Sequence, residues 1–153
     1  MTKKYELTDE TKNNGTLHRI RALRDIPRTG VKAGDIGGWI KSESQLSHDG
    51  ECWVYGNAVV SGNAEVCGNA VVCGNAEVRG LKDYITLKNV WSSGRTFTYT
   101  RSNRMWKVGC FCGTGEELIV KAYKDSNLSG RCYEASVKYG EEIYRILEET
   151  KGE

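Results

Sequence analysis

The chain has 153 residues, of which 27% are charged and 39% apolar, with 18 glycines, a single proline and a formal charge of +2. That length fits one domain or a repeat module with a small companion, and the balance of charged and apolar residues excludes wholesale disorder. The small charge is no argument for nucleic-acid binding, and no apolar run approaches the ~18 residues of a membrane span or forms a signal-peptide core, so a cytoplasmic protein is expected.

Residues 1–39 are expected to form an N-terminal β cap. Residues 5–8 and 17–23 read as strands, and Asn13-Asn14-Gly15 between them is a hairpin signal. Gly34, Gly37 and Gly38 then lead the chain into the next segment. Arg19, Arg21, Arg24 and Arg28 make this region basic. Either they line a solvated strand face or they form an anion-binding surface.

Residues 40–80 are governed by a repeat of period six: Gly-Asn-Ala-Val-Val-Ser, Gly-Asn-Ala-Glu-Val-Cys, Gly-Asn-Ala-Val-Val-Cys, Gly-Asn-Ala-Glu-Val-Arg. Val54, Val60, Val66, Val72 and Val78 recur as anchors that point inward and stack between coils. Ala58, Ala64, Ala70 and Ala76 also face inward, near corners too tight for larger side chains. Gly-Asn tolerates the left-handed backbone a sharp corner needs, and the asparagines are placed to form a stacked ladder. Ile40 with Ser44, and Leu46 with Gly50, extend the pattern upstream, while the longer interval from Leu46 to Val54 predicts a bulge around residues 48–51. An antiparallel meander would alternate polarity without holding a strict six-residue period.

This unit resembles the hexapeptide-repeat family, in which three hexapeptides make one coil of a triangular prism. The resemblance implies a short left-handed parallel β-helix of roughly two coils, needing caps or partners at its open ends. Stacked by whole coils, Cys52 lies over Ala70 and Cys73 over Tyr55. No cysteine meets another, so disulfides within the module are not expected and a reducing compartment is. Trp53 over Val71 and Val59 over Glu77 leave apolar patches beside acids on the outer faces. Family members are commonly trimers packed side by side, which implies a homo-oligomer, with a trimer favoured.

Residues 81–153 follow a different pattern and are expected to form a C-terminal α+β module of three strands then two helices. The strands fall at 84–90, 95–101 and 105–112, with turns at Ser92-Ser93-Gly94 and Ser102-Asn103-Arg104. Thr114 and Glu117 have capping-box spacing ahead of a helix bearing Leu118, Ile119, Ala122 and Tyr123. A second helix is expected over 130–149, with Tyr133, Val137, Gly140, Tyr144 and Leu147 at helical spacing. The whole is mainly β.

Three constellations offer chemistry. In hexapeptide-repeat acyltransferases a histidine acts as general base, and here His48 in the irregular interval is the candidate for that role. Cys110, Cys112 and Cys132 provide three thiols, one ligand short of a zinc site; the bland reading places Cys110 and Cys112 on one strand face as small core residues. Arg95, Arg101, Arg104 and Lys107 lead to Thr114 at a helix N-terminus. With Tyr99, Trp106 and Trp91 to stack a base, they form the candidate pocket for a nucleotide-like or other anionic ligand. The phrases Leu-His-Arg-Ile-Arg-Ala-Leu-Arg-Asp, Gly-Asp-Ile-Gly-Gly-Trp-Ile and Cys-Trp-Val-Tyr-Gly-Asn-Ala resemble a set of phage and prophage hexapeptide proteins.

The function these readings favour is a non-enzymatic, oligomeric phage accessory protein acting in the host cytosol, without cofactor or metal. Its most concrete form is counter-defence, by sequestering a nucleotide immune signal or inhibiting a host defence protein. A hexapeptide-type acyltransferase and a structural phage component are the alternatives.

Overall fold

The computed structural model describes residues 3–150. Strands β1 (Tyr5–Lys12) and β2 (Leu17–Ala22) form an antiparallel hairpin. Its turn holds Asn13, Asn14 and Gly15 at φ of 54°, 59° and 82°, the left-handed region these residues tolerate. Strand β1 runs further than expected because Thr11 and Lys12 pair with His18 and Leu17. Strand β3 (Ile36–Ile40) pairs antiparallel with β2 on one side and parallel with the repeat on the other. One sheet therefore runs across the expected boundary at 39/40.

Within the repeat, β4 (Trp53–Val54), β5 (Val59–Val60), β6 (Val71–Val72) and β7 (Glu77–Val78) are two-residue strands. They stack in parallel: Ile40 beside Val60 beside Val78, Val54 beside Val72, and Leu46 bridged to Val66. These pairings make two parallel ladders and one isolated parallel bridge. The step is 18 residues where Glu51 meets Asn69, and longer for Ile40 and Leu46, as the bulge in the second half of that coil requires. The five anchor valines are fully buried and the four alanines nearly so. Gly56, Gly62, Gly68 and Gly74 turn the corners at φ of 57° to 68°. The expected asparagine ladder is not what joins the coils: the repeat asparagines are exposed, and backbone bonds such as Tyr55 N–H to Val72 O at 2.8 Å hold the stack.

Both ends of the stack are closed by the chain itself. At the first coil, the Tyr5 hydroxyl donates to Leu46 O at 2.6 Å and buried Lys4 Nζ donates to Cys52 O at 2.7 Å. At the last, Thr98 Oγ1 accepts from Val71 N–H at 2.9 Å and Ser102 Oγ from Glu77 N–H at 2.7 Å. Asn103 Nδ2 donates to Cys73 O at 3.1 Å, and the Tyr84 hydroxyl to Glu65 O at 2.9 Å. Edge groups that would otherwise be unpaired are satisfied by side chains.

The closing side chains come from a four-stranded antiparallel sheet in the order β11-β10-β9-β8, made of β8 (Tyr84–Lys88), β9 (Thr96–Thr100), β10 (Met105–Val108) and β11 (Phe111–Gly113). The expected third strand over 105–112 is a hairpin, because Gly109 adopts φ 55° and turns the chain back. One face of the sheet packs Phe97, Tyr99 and Trp106 beneath α1 (Gly115–Asp125) and α2 (Asn127–Glu149). The opposite face turns Thr98 and Lys107 toward the repeat. Helix α2 starts three residues before the expected Gly130 because Ser126 caps it, accepting from Ser129 N–H.

Two expectations about surfaces and cysteines are corrected. Trp53 is fully buried and packs edge-on to Tyr5, and Val71 is bonded by the C-terminal sheet. That apolar outer patch is therefore covered within the chain, while Val59 is half-buried beside exposed Glu77. The chain does form a disulfide, Cys73–Cys112, with the Cα atoms 6.8 Å apart. Stacking by coils compares cysteines only inside the repeat, whereas Cys112 arrives from β11, outside it. Among the described residues no helix is long and apolar enough to cross a membrane.

Candidate functional site

Where the N-terminal segment, the repeat and the C-terminal sheet meet, they form a narrow cleft of about 40 Å³. Its cations come from separate parts of the chain: Arg28 from the loop after β2, Arg95 ahead of β9, and Lys107 from β10. The one acid lining it is Glu51, whose Oε2 lies 3.7 Å from Arg28 Nε. Lys107 Nζ sits 4.9 Å from the centroid of the Tyr55 ring, a cation–π contact, and burial holds its ammonium below the usual lysine range. The Tyr55 hydroxyl donates to Thr29 O, which ties this wall to the N-terminal segment. Asn69 Oδ1 accepts from Glu51 N–H at 3.1 Å and fixes the acid's backbone. Excess positive charge on half-buried walls suits an anion.

Arg95 and Lys107 of the expected pocket are thus brought together; its remaining members are not with them. Tyr99 and Trp106 stack on each other at 4.3 Å under the helices, and Trp106 is fully buried, so it presents no face to a base. Trp91 is held edge-on against Tyr133 and Phe97. Arg101 and Arg104 line a separate open cleft together with Tyr99, so three of the expected residues meet there, alongside Tyr144, Arg145, Glu141 and Glu148. There Arg101 lies over the Tyr144 ring at 5.5 Å and pairs with Glu148 at 2.6 Å, so an acid already meets Arg101. Thr114 caps α1 as expected: its Oγ1 accepts from Glu117 N–H at 3.2 Å, and Glu117 Oε1 accepts from Thr114 N–H at 2.9 Å. With Glu116 also in the first turn, this helix start is already supplied with negative charge.

His48 is locked in place. Nδ1 accepts from the Lys4 N–H at 3.1 Å, Nε2 faces Glu43 Oε1 at 3.0 Å, and the ring stacks on Tyr5 at 4.2 Å. An N–H pointing at Nδ1 leaves the ring proton on Nε2, donated to Glu43. Both nitrogens are engaged, and the His48 bond together with Lys3 holds the Glu43 carboxyl below its usual range. The thiol trio does not exist as a ligand set, because Cys112 is bonded to Cys73. No group of three His, Cys, Asp or Glu side chains suited to a metal occurs among the described residues.

Thr29, Glu51, Tyr55 and Asn69 are cleft residues that the sequence reading missed, while Arg28 enters it only as one of four arginines that form either a solvated strand face or an anion-binding surface. A signal for part of the set exists: the 18-residue step places Asn69 against Glu51, and alternation along β10 sends Lys107 away from buried Trp106. Nothing local shows that Arg28 comes across to meet them.

No protein-family model matches the chain. Over 63 residues, 35% of this chain, it is 38% identical to a protein of Escherichia coli (strain K12) described as the uncharacterized acetyltransferase YdcK. The match spans 19% of that protein's length.

Proposed function

We propose that the chain is a binding protein without catalysis of its own, built on a short left-handed β-helix, whose cleft takes an anionic group such as a phosphate of a nucleotide. The helix reading is supported by parallel ladders at an 18-residue step, inward valines and glycine corners at positive φ. The ligand reading rests on one observation: Arg28, Arg95 and Lys107 converge on one cleft against a single acid. A space of about 40 Å³ admits a phosphate-sized group and leaves the rest of a nucleotide outside the mouth. On the resemblance to phage proteins, such capture serves counter-defence, withdrawing a nucleotide signal from the host.

Calorimetric titration with ATP and with a cyclic dinucleotide tests this. Arg95→Ala with Lys107→Ala is expected to weaken binding at least about tenfold, since each charged hydrogen bond contributes roughly 1.5–3 kcal/mol. Arg101→Ala with Arg104→Ala should leave it unchanged. No binding at millimolar nucleotide, or loss only in the second pair, overturns the reading.

The likeness to YdcK favours a second reading, acetyl transfer with His48 as base. Against it, neither ring nitrogen is open to a substrate proton. Acetyl-CoA turnover that disappears in His48→Ala would establish it over the binding reading.

A further inference from the structure

We infer that the Cys73–Cys112 disulfide is a redox tie across the cleft, so that ligand capture weakens when it is reduced; this rests on the anion-binding reading of the cleft. One wall includes Val71 of β6, and Cys73 follows β6 directly. The other wall includes Lys107, whose partner across the β10–β11 hairpin is Cys112. The disulfide therefore joins a residue beside one wall to the residue paired with the cation of the other. Strand β11 is the edge of its sheet, with β10 as its one strand neighbour. The hydrogen bonds that anchor the sheet to the last coil come from Thr98, Ser102 and Asn103, earlier in the chain than Lys107. The hairpin turn at Gly109, itself a lining residue next to Arg95, lies beyond those anchors.

Access is one-sided, since Cys73 is buried and Cys112 exposed. A thiolate of a dithiol reductant attacks Cys112 Sγ, and the S–S bond breaks with its electron pair on Cys73 Sγ, which takes up a proton. The reductant's second thiol then closes on the mixed disulfide and releases Cys112. One protein disulfide and one dithiol become two protein thiols and a cyclic disulfide. Lys107 keeps its place through its pairing with Thr98 of β9, but the untied β11 and the Gly109 turn beside Arg95 loosen, and Arg95 is no longer held toward Arg28 and Lys107.

The test titrates ATP into the oxidised protein, into protein held in dithiothreitol, and into Cys73→Ser with Cys112→Ser. Hydrogen exchange of residues 105–113 is followed alongside. Reduction is expected to weaken binding at least tenfold and to speed exchange across the hairpin. The double variant should bind as weakly under both conditions, while Cys110→Ser keeps the full redox response. Equal affinity in the oxidised and reduced states overturns the inference. If ATP binds neither form, the ligand reading is what fails, and exchange then decides the tie by itself: faster on reduction supports it, unchanged overturns it.

Discussion

Gly62 and Gly68 turn equivalent corners at φ of 59° and 62°, yet their surroundings differ. A Cβ on Gly62 would lie 2.5 Å from the Arg79 carbonyl oxygen, whereas one on Gly68 would meet nothing within 4 Å. Gly68→Ala should therefore cost only the left-handed backbone, about 1 kcal/mol, and Gly62→Ala about 3 kcal/mol once the clash is added. Urea unfolding of the two variants checks the difference; equal losses would mean that the corners do not stack as described. At this scale the repeat is legible in the sequence, because an inward valine, a corner glycine and a small alanine each answer a local backbone demand. The cleft is much less so. Tyr55 reads as just another residue after an anchor valine, and its part in the site depends on Lys107, distant in the chain.

Among the elements, the β9–β10 turn does most to join the two halves of the molecule. Asn103 Oδ1 accepts from Met105 N–H at 3.2 Å and from the Thr100 hydroxyl, while its Nδ2 reaches Cys73 O at 3.1 Å. Asn103→Ala leaves several part-buried groups unpaired and should cost about 2 kcal/mol, read as a lower urea midpoint at unchanged slope. A loss of a few tenths would show the turn to be spectator. The helices are legible from capping and periodicity, since Thr114 with Glu117 and the stripe of Tyr133, Val137 and Tyr144 are local features. The β10–β11 hairpin is not: the alternation through Met105, Lys107 and Gly109 imitates one strand, and only the positive φ of Gly109 breaks it.

For the whole molecule, the decisive feature is that both ends of the stack are closed from within. The apolar patch at Trp53 and Val71, one reason to expect side-by-side copies, is spent on the chain's own packing. Light scattering is accordingly expected to give the 17.1 kDa mass of one chain. A threefold mass would put the assembly on the remaining β3–β5–β7 face instead. That closure lies beyond sequence reading, because a repeat shows its need for caps without showing which segments meet it.

The cleft spans two successive coils, with Glu51 and Tyr55 on one and Asn69 and Val71 on the next. Arg28 enters from the segment that closes the first coil, and Arg95 and Lys107 from the module that closes the last. Coil number therefore acts as a ruler between the N-terminal cation and the C-terminal pair. Duplicating one turn of three hexapeptides would part them by roughly the 4.7–4.9 Å of one strand spacing while leaving either closure's local contacts in place. In a protein of this plan, gaining or losing whole coils is a one-step route to a ligand of different length.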